Sequence, residues 1–386
     1  MEFLDPSFER PVFSAASKRL RAEVRAFLRQ EREAGNFTPV CNSWVEGFSS
    51  EFSQKLGARG WIGHHWPKRY GGSEGTAYDT FIINEELLAA GAPVNAHWTA
   101  ARQSGPVIMR YASEDIRLKF LPEIAAGRLY FAIGLSEPDS GSDLASVRTR
   151  ARPDGKFWRI TGRKIWTTSA HRCQWMIVLC RTSPLEEGGR HHGLTQFIVD
   201  LKSKGVSIRP ILALDGSHHF NEVLFEDVEV PEELMLGNPG DAWRQVSSEL
   251  AYERSGPERF LSSLPFLDEF LRSVGGSGDR HTNLNLGKMI ARLVVLRGMS
   301  LGIAGSLNKG NAPDTEAALV KGLGSAFERE TIEAVRGLAG ALIDRPENAA
   351  LRARFREALF SAPTYTIRGG TNEILRNIVA KRLKLS

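Results

Sequence analysis

The spacing of apolar residues changes twice along this chain of 386 residues, and these changes constrain its fold more than any other feature. From Phe131 to Pro231 the apolar residues follow the two-residue repeat of β-strands. On either side the repeat is helical, as it is between residues 14 and 28. About 100 residues of strand pattern are enough for a small β-barrel or sandwich. The sequence therefore predicts a mainly α-helical fold with a β insert.

This pattern divides the chain into three predicted domains. Residues 1–130 form an N-terminal α-helical domain, residues 131–235 a central β domain, and residues 236–386 a C-terminal α-helical bundle. Within the bundle, the stretch from Leu284 to Leu307 is apolar around most of its circumference. Such a helix is typical of the interior of a bundle or of a subunit interface.

The composition is that of an ordinary soluble globular protein, with 42% hydrophobic and 25% charged residues. The net charge is +5, but the basic residues are scattered rather than grouped with aromatic residues. Nucleic acid binding is therefore disfavoured, whereas a mild positive charge helps to attract an anionic substrate. The three cysteines indicate no disulfide framework.

The N-terminus has neither the basic region nor the apolar core of a signal peptide. We also expect no membrane partner, since no apolar run in the sequence reaches transmembrane length. A cytoplasmic protein is the default expectation.

A first candidate site is the stretch FAIGLSEPDSGSD, from Phe131 to Asp143. A short apolar run is followed by Pro138, which ends a central strand, and by Gly141, which permits unusual backbone angles. A strand thus delivers a loop rich in hydroxyl groups and amide donors, which suits a flat heteroaromatic ring with a polar edge. The alternative is a surface turn after an edge strand.

A second candidate site is the stretch KIWTTSA, from Lys164 to Ala170. Alternation along its strand places Trp158, Ile160, Gly162, Lys164 and Trp166 on one side. Trp166 could belong to the core on that basis. At a strand end before two threonines, however, it is better placed to face a ligand with its ring.

Together the two stretches resemble the flavin-binding signatures of the acyl-CoA dehydrogenase family. The resemblance implies that family's fold, with an N-terminal helical domain, a central β-barrel and a C-terminal helical bundle, and FAD as cofactor. In the family, the first loop holds the pyrimidine side of the flavin, and the tryptophan and threonine cover one face and the reactive edge. The cofactor-binding residues that it implies here are Phe131, Ile133, Leu135, Ser136, Gly141, Ser142, Trp166, Thr167, Thr168, Thr371 and Glu373. The substrate-binding residues that it implies are Ser142, Arg254, Gly369 and Gly370.

The catalytic base is placed by a departure from this family's C-terminal signature, which the stretch from Tyr365 to Arg376 resembles. Many members carry the catalytic glutamate where this chain has Gly369, which cannot act as a base. A subset of the family places the glutamate on the first helix of the bundle, directly before an arginine, and Glu253 and Arg254 match that pattern. The alternative for Glu253 is a solvated ion pair with its neighbour.

Other departures concern the FAD tail. The family usually has an aspartate where Ala251 stands, and an arginine and a phenylalanine where Asn283 and Leu286 stand. Its glycine-rich run is reduced to RGLAG at 336–340. In homotetrameric members these residues grip the FAD of the neighbouring subunit. The resemblance therefore implies a tetramer-like oligomer, possibly with a paralogous subunit, as in bacterial members that act on steroid side-chain CoA esters.

The predicted function is FAD-dependent α,β-dehydrogenation of an acyl-CoA thioester, with an electron-transfer flavoprotein as the implied partner. Two alternatives stay open: a flavin oxidase or monooxygenase on the same fold, and a non-catalytic subunit of a heteromer. No metal is predicted, because the adjacent histidine pairs at 64–65, 191–192 and 218–219 are interpreted as loop residues without further ligands. The sequence contains no serine-hydrolase elbow and no dinucleotide or P-loop fingerprint.

Overall fold

The computed structural model describes residues 8, 11–184, 189–246, 254–275, 279–311 and 313–384. The chain forms two compact units, each assembled from separate stretches. The first consists of Met1–Phe48, Gly75–Val94 and Ala251–Ser386, and the second of Ser49–Glu74 and Asn95–Leu250. The first unit is helical and the second contains the sheet, so the helical fold with a β insert is confirmed. The domain boundaries after residues 130 and 235 stay a prediction.

The helices of the first unit are α1 (Ala15–Glu33), α2 (Ser43–Glu46), α4 (Ala77–Ala89), α8 (Leu264–Ser273), α9 (Arg280–Asn308), α10 (Asp314–Ala339), α11 (Ala349–Tyr365) and α12 (Asn372–Arg382). Those of the second unit are α3 (Ser50–Gly57), α5 (Asn95–Thr99), α6 (Gly105–Tyr111) and α7 (Glu114–Ala125). Local signals set several of these ends. Thr76 and Asp79 form a capping box at the start of α4, and Gly127, at a φ of 71°, follows the end of α7.

The strands form one eight-stranded sheet in the second unit, with the order β6-β7-β3-β2-β4-β5-β8 and β1 paired with β4. The strands are β1 (Phe131–Gly134), β2 (Arg150–Asp154), β3 (Phe157–Thr168), β4 (Trp175–Arg181), β5 (Leu194–Asp200), β6 (Val206–Leu212), β7 (His218–Pro231) and β8 (Met235–Leu236). The pairs β1–β4 and β2–β4 are parallel and the others antiparallel. The sheet is open, with β6 and β8 at its ends, rather than closed into the barrel expected from the family resemblance.

Strand β3 departs from simple alternation, which corrects one prediction. Its pairing with β7 shifts register between Ile160 and Gly162 and again between Lys164 and Thr167. Trp158, Ile160 and Lys164 are buried, but Trp166, which alternation alone places on the same side, is 57% exposed, and Thr167 is buried in its place. The bulge inserts an extra residue and so reverses the facing of the strand end.

Helix α9 is long and apolar enough, by length and composition, to cross a membrane. The expectation that no apolar run reaches that length is therefore wrong. A core helix of a soluble protein passes the same test, so a single helix of this kind is weak evidence. The two central arginines of α9 form ion pairs, Arg297 with Glu85 of α4 and Arg292 with Glu330 of α10.

Candidate functional site

The loop that follows β1, residues 135–143, is anchored by a buried ion pair that the sequence analysis did not single out. Lys164 is fully buried, and its Nζ donates to Glu137 Oε1 at 2.8 Å and to the Leu135 carbonyl at 3.0 Å. Glu137 also accepts hydrogen bonds from the backbone N–H groups of Arg148 and Thr149. One carboxylate thus fixes the loop to two separate segments.

The surroundings of Glu137 favour the charged form of its carboxylate. Burial alone raises the pKa of Glu137, but the Lys164 ammonium and the two backbone N–H donors outweigh it and hold the pKa below its usual value. Burial lowers the pKa of Lys164, and the Glu137 carboxylate opposes that effect. An ammonium group with several acceptors is the arrangement that makes a buried charge tolerable.

The Trp166 segment, defined as residues 164–169, presents an aromatic ring beside a loop of exposed small residues. Trp166 has a left-handed φ of 58°, unusual for a bulky residue, and its ring meets Phe220 edge-on at 6.0 Å. Backbone hydrogen bonds hold both ends of the segment, from Ile165 N–H to the Ser136 carbonyl and from Ser169 N–H to the His219 carbonyl. The loop and the segment are thereby tied together.

The second unit holds nine of the residues proposed for the cofactor. Gly141 and Ser142 are exposed, Ile133, Leu135, Ser136 and Thr168 are half-buried, and Thr167 is buried. Phe131 lies in the core, where its ring meets Phe120 at 5.6 Å, so its side chain serves packing. The structure therefore brings together the loop and the Trp166 segment.

The glycine turn, residues 368–371, is the corresponding feature of the first unit. Gly369 and Gly370 both have left-handed backbones, with φ of 67° and 96°. Arg254 Nε donates to the Gly369 carbonyl at 3.0 Å, and Lys321 Nζ donates to the Gly370 carbonyl at 2.7 Å. Two buried cations therefore hold successive carbonyls of a turn whose two central residues have no side chains.

Arg368, the first residue of the glycine turn, is packed between two aromatic rings. Its guanidinium carbon lies 4.4 Å from the Trp44 ring centre and 4.5 Å from that of Tyr365. It donates to Ser262 Oγ at 2.8 Å and lies 3.5 Å from Glu328 Oε2. Burial lowers the pKa of Arg368, an effect that Glu328 opposes. This packing fixes the entry of the chain into the turn.

The remaining predicted residues of the first unit lie at the start of α12 or outside the described residues. Thr371 caps α12 by accepting from the Ile374 N–H at 3.3 Å, and Glu373 is exposed in the first turn of that helix. Backbone N–H and the Thr371 side chain lower the pKa of Glu373. Glu253, the predicted base, lies outside the described residues, as does Ala251.

The positions that depart from the FAD-tail pattern are placed in the helical unit. Asn283 is exposed on α9, whereas Leu286 faces the core. Arg336 lies in the last turns of α10, where its guanidinium pairs with Glu333 of the same helix at 2.7 Å. The Leu286 side chain therefore serves packing, and the Arg336 side chain serves local pairing within its helix.

The second unit has two features that fit a flat aromatic ring with a polar edge, such as a flavin. The exposed Trp166 indole offers a ring face, and a Cβ added at Gly141 would meet no described atom within 4 Å. The buried Thr167 Oγ1 has no hydrogen-bond partner within the part of the chain that the structure describes. Ring stacking on the exposed indole is the interaction that such a ligand completes, whereas the Thr167 hydroxyl is buried even without a ligand. No group of three metal-ligating side chains occurs among the described residues.

Sequence reasoning assigned no role to Glu137, Lys164, Lys321 or Asn221. A signal was present for Lys164, because it is in phase with Trp158 and Ile160 on the buried face of β3. A lysine on a buried face requires an acidic partner, and the preceding loop offers Glu137. Lys321 and Asn221 have no comparable signal in the sequence.

Three family models match the chain in succession. They are "Acyl-CoA dehydrogenase, N-terminal domain" over residues 14–128, "Acyl-CoA dehydrogenase, middle domain" over residues 132–228, and "Acyl-CoA dehydrogenase, C-terminal domain" over residues 275–384. The matches cover the helical start, the sheet and the helical end of the chain.

Known relatives are similar over nearly the whole length. Acyl-CoA dehydrogenase IpdE1 of Mycobacterium tuberculosis is 33% identical, over 94% of this chain and 96% of that protein. Among solved structures, the Tcur3481-Tcur3483 steroid ACAD matches with a TM-score of 0.85 at 26% identity, over 97% of this chain and 98% of that one. The ChsE4-ChsE5 complex from Mycobacterium tuberculosis matches with a TM-score of 0.82 at 28% identity, over 98% and 99%. With these matches, the chain belongs to the acyl-CoA dehydrogenase family.

Proposed function

We propose that this acyl-CoA dehydrogenase carries out FAD-dependent α,β-dehydrogenation of an acyl-CoA thioester to the 2-enoyl-CoA. The observation that carries the proposal is the Trp166 segment, where an exposed indole stands at the end of a strand that a backbone hydrogen bond ties to a fixed loop. Members of the family are flavoproteins, and the resemblance of the stretch KIWTTSA to their flavin-binding signature supports placing the ring here. When bound there, FAD supplies the acceptor for the substrate's β-hydrogen, which is transferred as hydride.

The residues of the second unit act by holding and orienting. The Trp166 indole covers one ring face, and the Thr168 hydroxyl and the Thr167 backbone supply polar contacts at its edge. The residues Ser136 and Ser142 offer hydroxyl groups in the adjoining loop. Because Glu137 and Lys164 fix the loop, these groups are positioned before the ligand binds, which lowers the entropic cost of binding.

Glu253 is proposed as the base that removes the substrate's α-proton. Its neighbour Arg254 is fixed to the Gly369 carbonyl, at the position where many family members carry the catalytic glutamate. Arg254, the residue after Glu253 in the sequence, is thus tied to the position of the missing carboxylate, which supports Glu253 as the base. A carboxylate that is shielded from water can have its pKa raised to suit proton abstraction from a carbon acid.

The partners are proposed from the relatives and from the departures in the FAD-tail positions. The ChsE4-ChsE5 complex contains two differently named chains, and Tcur3481-Tcur3483 is named a steroid ACAD. We propose that this chain likewise works in a hetero-oligomer with a paralogous subunit, on a CoA ester of the steroid side-chain class. Electrons would leave to an electron-transfer flavoprotein. Native mass measurement and a panel of steroid and straight-chain CoA esters test these assignments.

The decisive experiment replaces Glu253 by glutamine, which keeps the shape but removes the basicity. We expect Glu253→Gln to retain flavin and to bind acyl-CoA, and to bleach the flavin on substrate addition about 10²–10⁴-fold more slowly. Glu233→Gln, on the exposed turn Glu232–Leu234, is the control for loss of one negative charge and should bleach at the normal rate.

Each alternative has its own outcome in the same experiment. Normal bleaching by Glu253→Gln would place the base on another residue or on the partner chain. Oxygen consumption by the wild-type protein without an electron-transfer flavoprotein would favour an oxidase. Absence of flavin in the wild-type assembly would favour a non-catalytic subunit. Trp166→Ala would then have no bound flavin to lose.

A further inference from the structure

Two histidine rings are stacked beside the Trp166 segment, in a cluster that the proposed chemistry does not use. The rings of His171 and His218 lie 3.8 Å apart at an angle of 16°. His218 and His219 begin strand β7 rather than lying in a loop, which corrects that prediction. Both stacked rings point a nitrogen at the same atom, Asn221 Oδ1, at 3.1 Å from His171 Nδ1 and 2.8 Å from His218 Nε2.

The orientation of the Asn221 amide is fixed by its other end. Asn221 is fully buried, and its Nδ2 donates to the Thr167 carbonyl at 2.9 Å. A flipped amide would set oxygen against oxygen there, so Oδ1 must face the imidazoles. Since that oxygen only accepts, His171 carries its proton on Nδ1 and His218 carries one on Nε2. The Asn221 side chain therefore sets the tautomers of both histidines and donates a hydrogen bond to the Thr167 carbonyl.

We propose that Asn221, His171 and His218 position the Trp166 segment for the flavin, and that protonation of the imidazole pair releases it and weakens flavin binding. This inference rests on the proposed function, in which Trp166, Thr167 and Thr168 contact FAD. The three residues are positioning residues, since they act on the ligand through the Thr167 backbone.

The Trp166 segment needs such support because the regular ladder is interrupted there. The register of β3 with β7 shifts between Lys164 and Thr167, and Trp166 adopts a left-handed φ. A bulged residue loses the regular pairing that would otherwise set its direction. The bond from Asn221 to the Thr167 carbonyl lies at the end of this irregular stretch, where pairing resumes, and we infer that the direction of the Trp166 ring depends on it.

Protonation of both imidazole rings to imidazolium opposes the stacked arrangement. Two imidazolium rings at this distance repel, which separates the rings and strains the bonds to Asn221. Burial and the neighbouring His218 lower the pKa of His171. His171 is therefore neutral above the ordinary imidazole pKa of about 6.5, and the positioning is lost as pH falls through the lowered pKa of His171.

The groups around the pair come from every element packed on it. Arg172 lies on the turn that carries His171, and His219 is the next residue of β7; both disfavour further positive charge. Asp215, in the loop between β6 and β7, interacts with His219. The one titratable residue of β6, Arg209, is mostly exposed and lies 3.8 Å from Glu222 of β7. No carboxylate among those that the structure describes bonds either ring of the stack.

The test is a titration of flavin-stripped, full-length protein, in the assembly in which it purifies, with FAD between pH 7.5 and 5.5. We expect the Kd of the wild-type protein for FAD to rise about tenfold over this range, equivalent to one pKa unit of differential binding. His218→Phe keeps a stacked ring but cannot be protonated, so its Kd should be nearly independent of pH. His191→Phe is the matched control, because His191 also stacks on a ring, Trp243 at 3.9 Å, and should keep the wild-type pH dependence.

Asn221→Asp supplies an independent readout. The aspartate still accepts from both imidazoles but cannot donate to Thr167, and its negative charge favours the imidazolium form. We expect weaker FAD binding at pH 7.5 and a shift of the pH transition to higher pH, which a merely structural substitution would not produce. Circular dichroism at each pH shows that the protein remains folded, and His171→Phe replaces His218→Phe if the latter does not fold.

The outcomes separate this inference from the proposed function. Wild-type pH dependence in His218→Phe, or an unshifted transition in Asn221→Asp, overturns the positioning role while leaving the dehydrogenase assignment intact. If no form binds FAD at any pH, the proposed function fails and this inference fails with it.

Discussion

The Trp166 segment and the glycine turn hold their backbones in opposite ways. In the Trp166 segment and its loop, a buried carboxylate, Glu137, gathers one ammonium and two backbone N–H groups. In the glycine turn, two buried cations, Arg254 and Lys321, gather backbone carbonyls. The first region keeps a large exposed side chain for a ligand, whereas the second has no side chain at its two central positions.

This difference predicts which kind of substitution each region tolerates. An anion that collects N–H donors is strongly coupled to its cation, and loss of that cation leaves a buried charge uncompensated. Cations that bond neutral carbonyls form charge-assisted hydrogen bonds, and losing one leaves only a carbonyl to be satisfied. We therefore expect the loop to be sensitive to charge and the glycine turn to be sensitive to shape.

The largest expected effect is that of Lys164→Met, which removes the charge but keeps most of the volume. We expect the free energy of unfolding to fall by about 3–5 kcal/mol, the cost of stranding a buried charge. Denaturant unfolding measures this loss.

The stabilisation by Glu137 also depends on pH. Because its partners lower the folded-state pKa of Glu137, the stabilisation is present above the unfolded-state pKa of 4.5 and is lost as pH falls through the folded-state pKa.

Two controls sharpen this first prediction. Arg152→Met breaks the exposed pair of Arg152 with Asp227 and should change the free energy of unfolding by less than about 1 kcal/mol. Adding Glu137→Gln to Lys164→Met removes the stranded charge and should restore part of the loss. Equal effects of Lys164→Met and Arg152→Met would contradict the claim that the buried pair governs the loop.

An intermediate effect is expected from Lys321→Met in the glycine turn. The substitution removes the hydrogen bonds of Lys321 Nζ to the Gly370 carbonyl and to Asn372 Oδ1 at 3.1 Å. We expect a loss of about 1.5–3 kcal/mol in the free energy of unfolding, typical of hydrogen bonds to a charged group. The exposed Lys288, on α9 of the same unit, supplies the control Lys288→Met, which should be nearly neutral. A loss as large as that of Lys164→Met would remove the distinction between the two regions.

The smallest effect separates two glycines by shape alone. Gly370→Ala forces an alanine into a φ of 96° and brings its Cβ to 3.2 Å from Arg254 Nη2, so we expect a loss of about 1–2 kcal/mol. Gly141→Ala adds its Cβ in open space among the described residues and should be neutral within about 0.5 kcal/mol. Thermal unfolding of the two variants compares them. A destabilised Gly141→Ala would show that the loop, too, depends on shape.

Much of the fold could be predicted because periodicity reports burial. The eight strands except β8 lie within the residues 131–231 whose two-residue repeat predicts strands, and Leu284 to Leu307 lies within α9. The strand Arg150–Asp154 has no signal of its own in the sequence, because four of its five residues are exposed and it lacks an alternating apolar pattern. The openness of the sheet depends on long-range pairing, which local patterns do not contain.

The site was predictable only where it depends on local chemistry. Trp166 could be linked to a ligand from its place at a strand end. The direction of its side chain, however, depends on a β-bulge that the residue types of the strand do not predict. Asn221 and Lys321 matter through partners that are 54 and 49 residues away along the chain. Such distant pairings require the tertiary structure, because neither a spacing nor a composition records them.

The division of the chain between the two units has a consequence for its synthesis. The sheet-containing unit ends at Leu250, whereas the helical unit needs Met1–Phe48 and Gly75–Val94 together with residues beyond 250. Since translation proceeds from the N-terminus and domains fold largely as they emerge, the sheet can be complete on the ribosome while α1 and α4 still lack most of their bundle. The nascent helices expose apolar faces during that interval. We expect this stage to be the one at which a chaperone most improves the yield of folded protein.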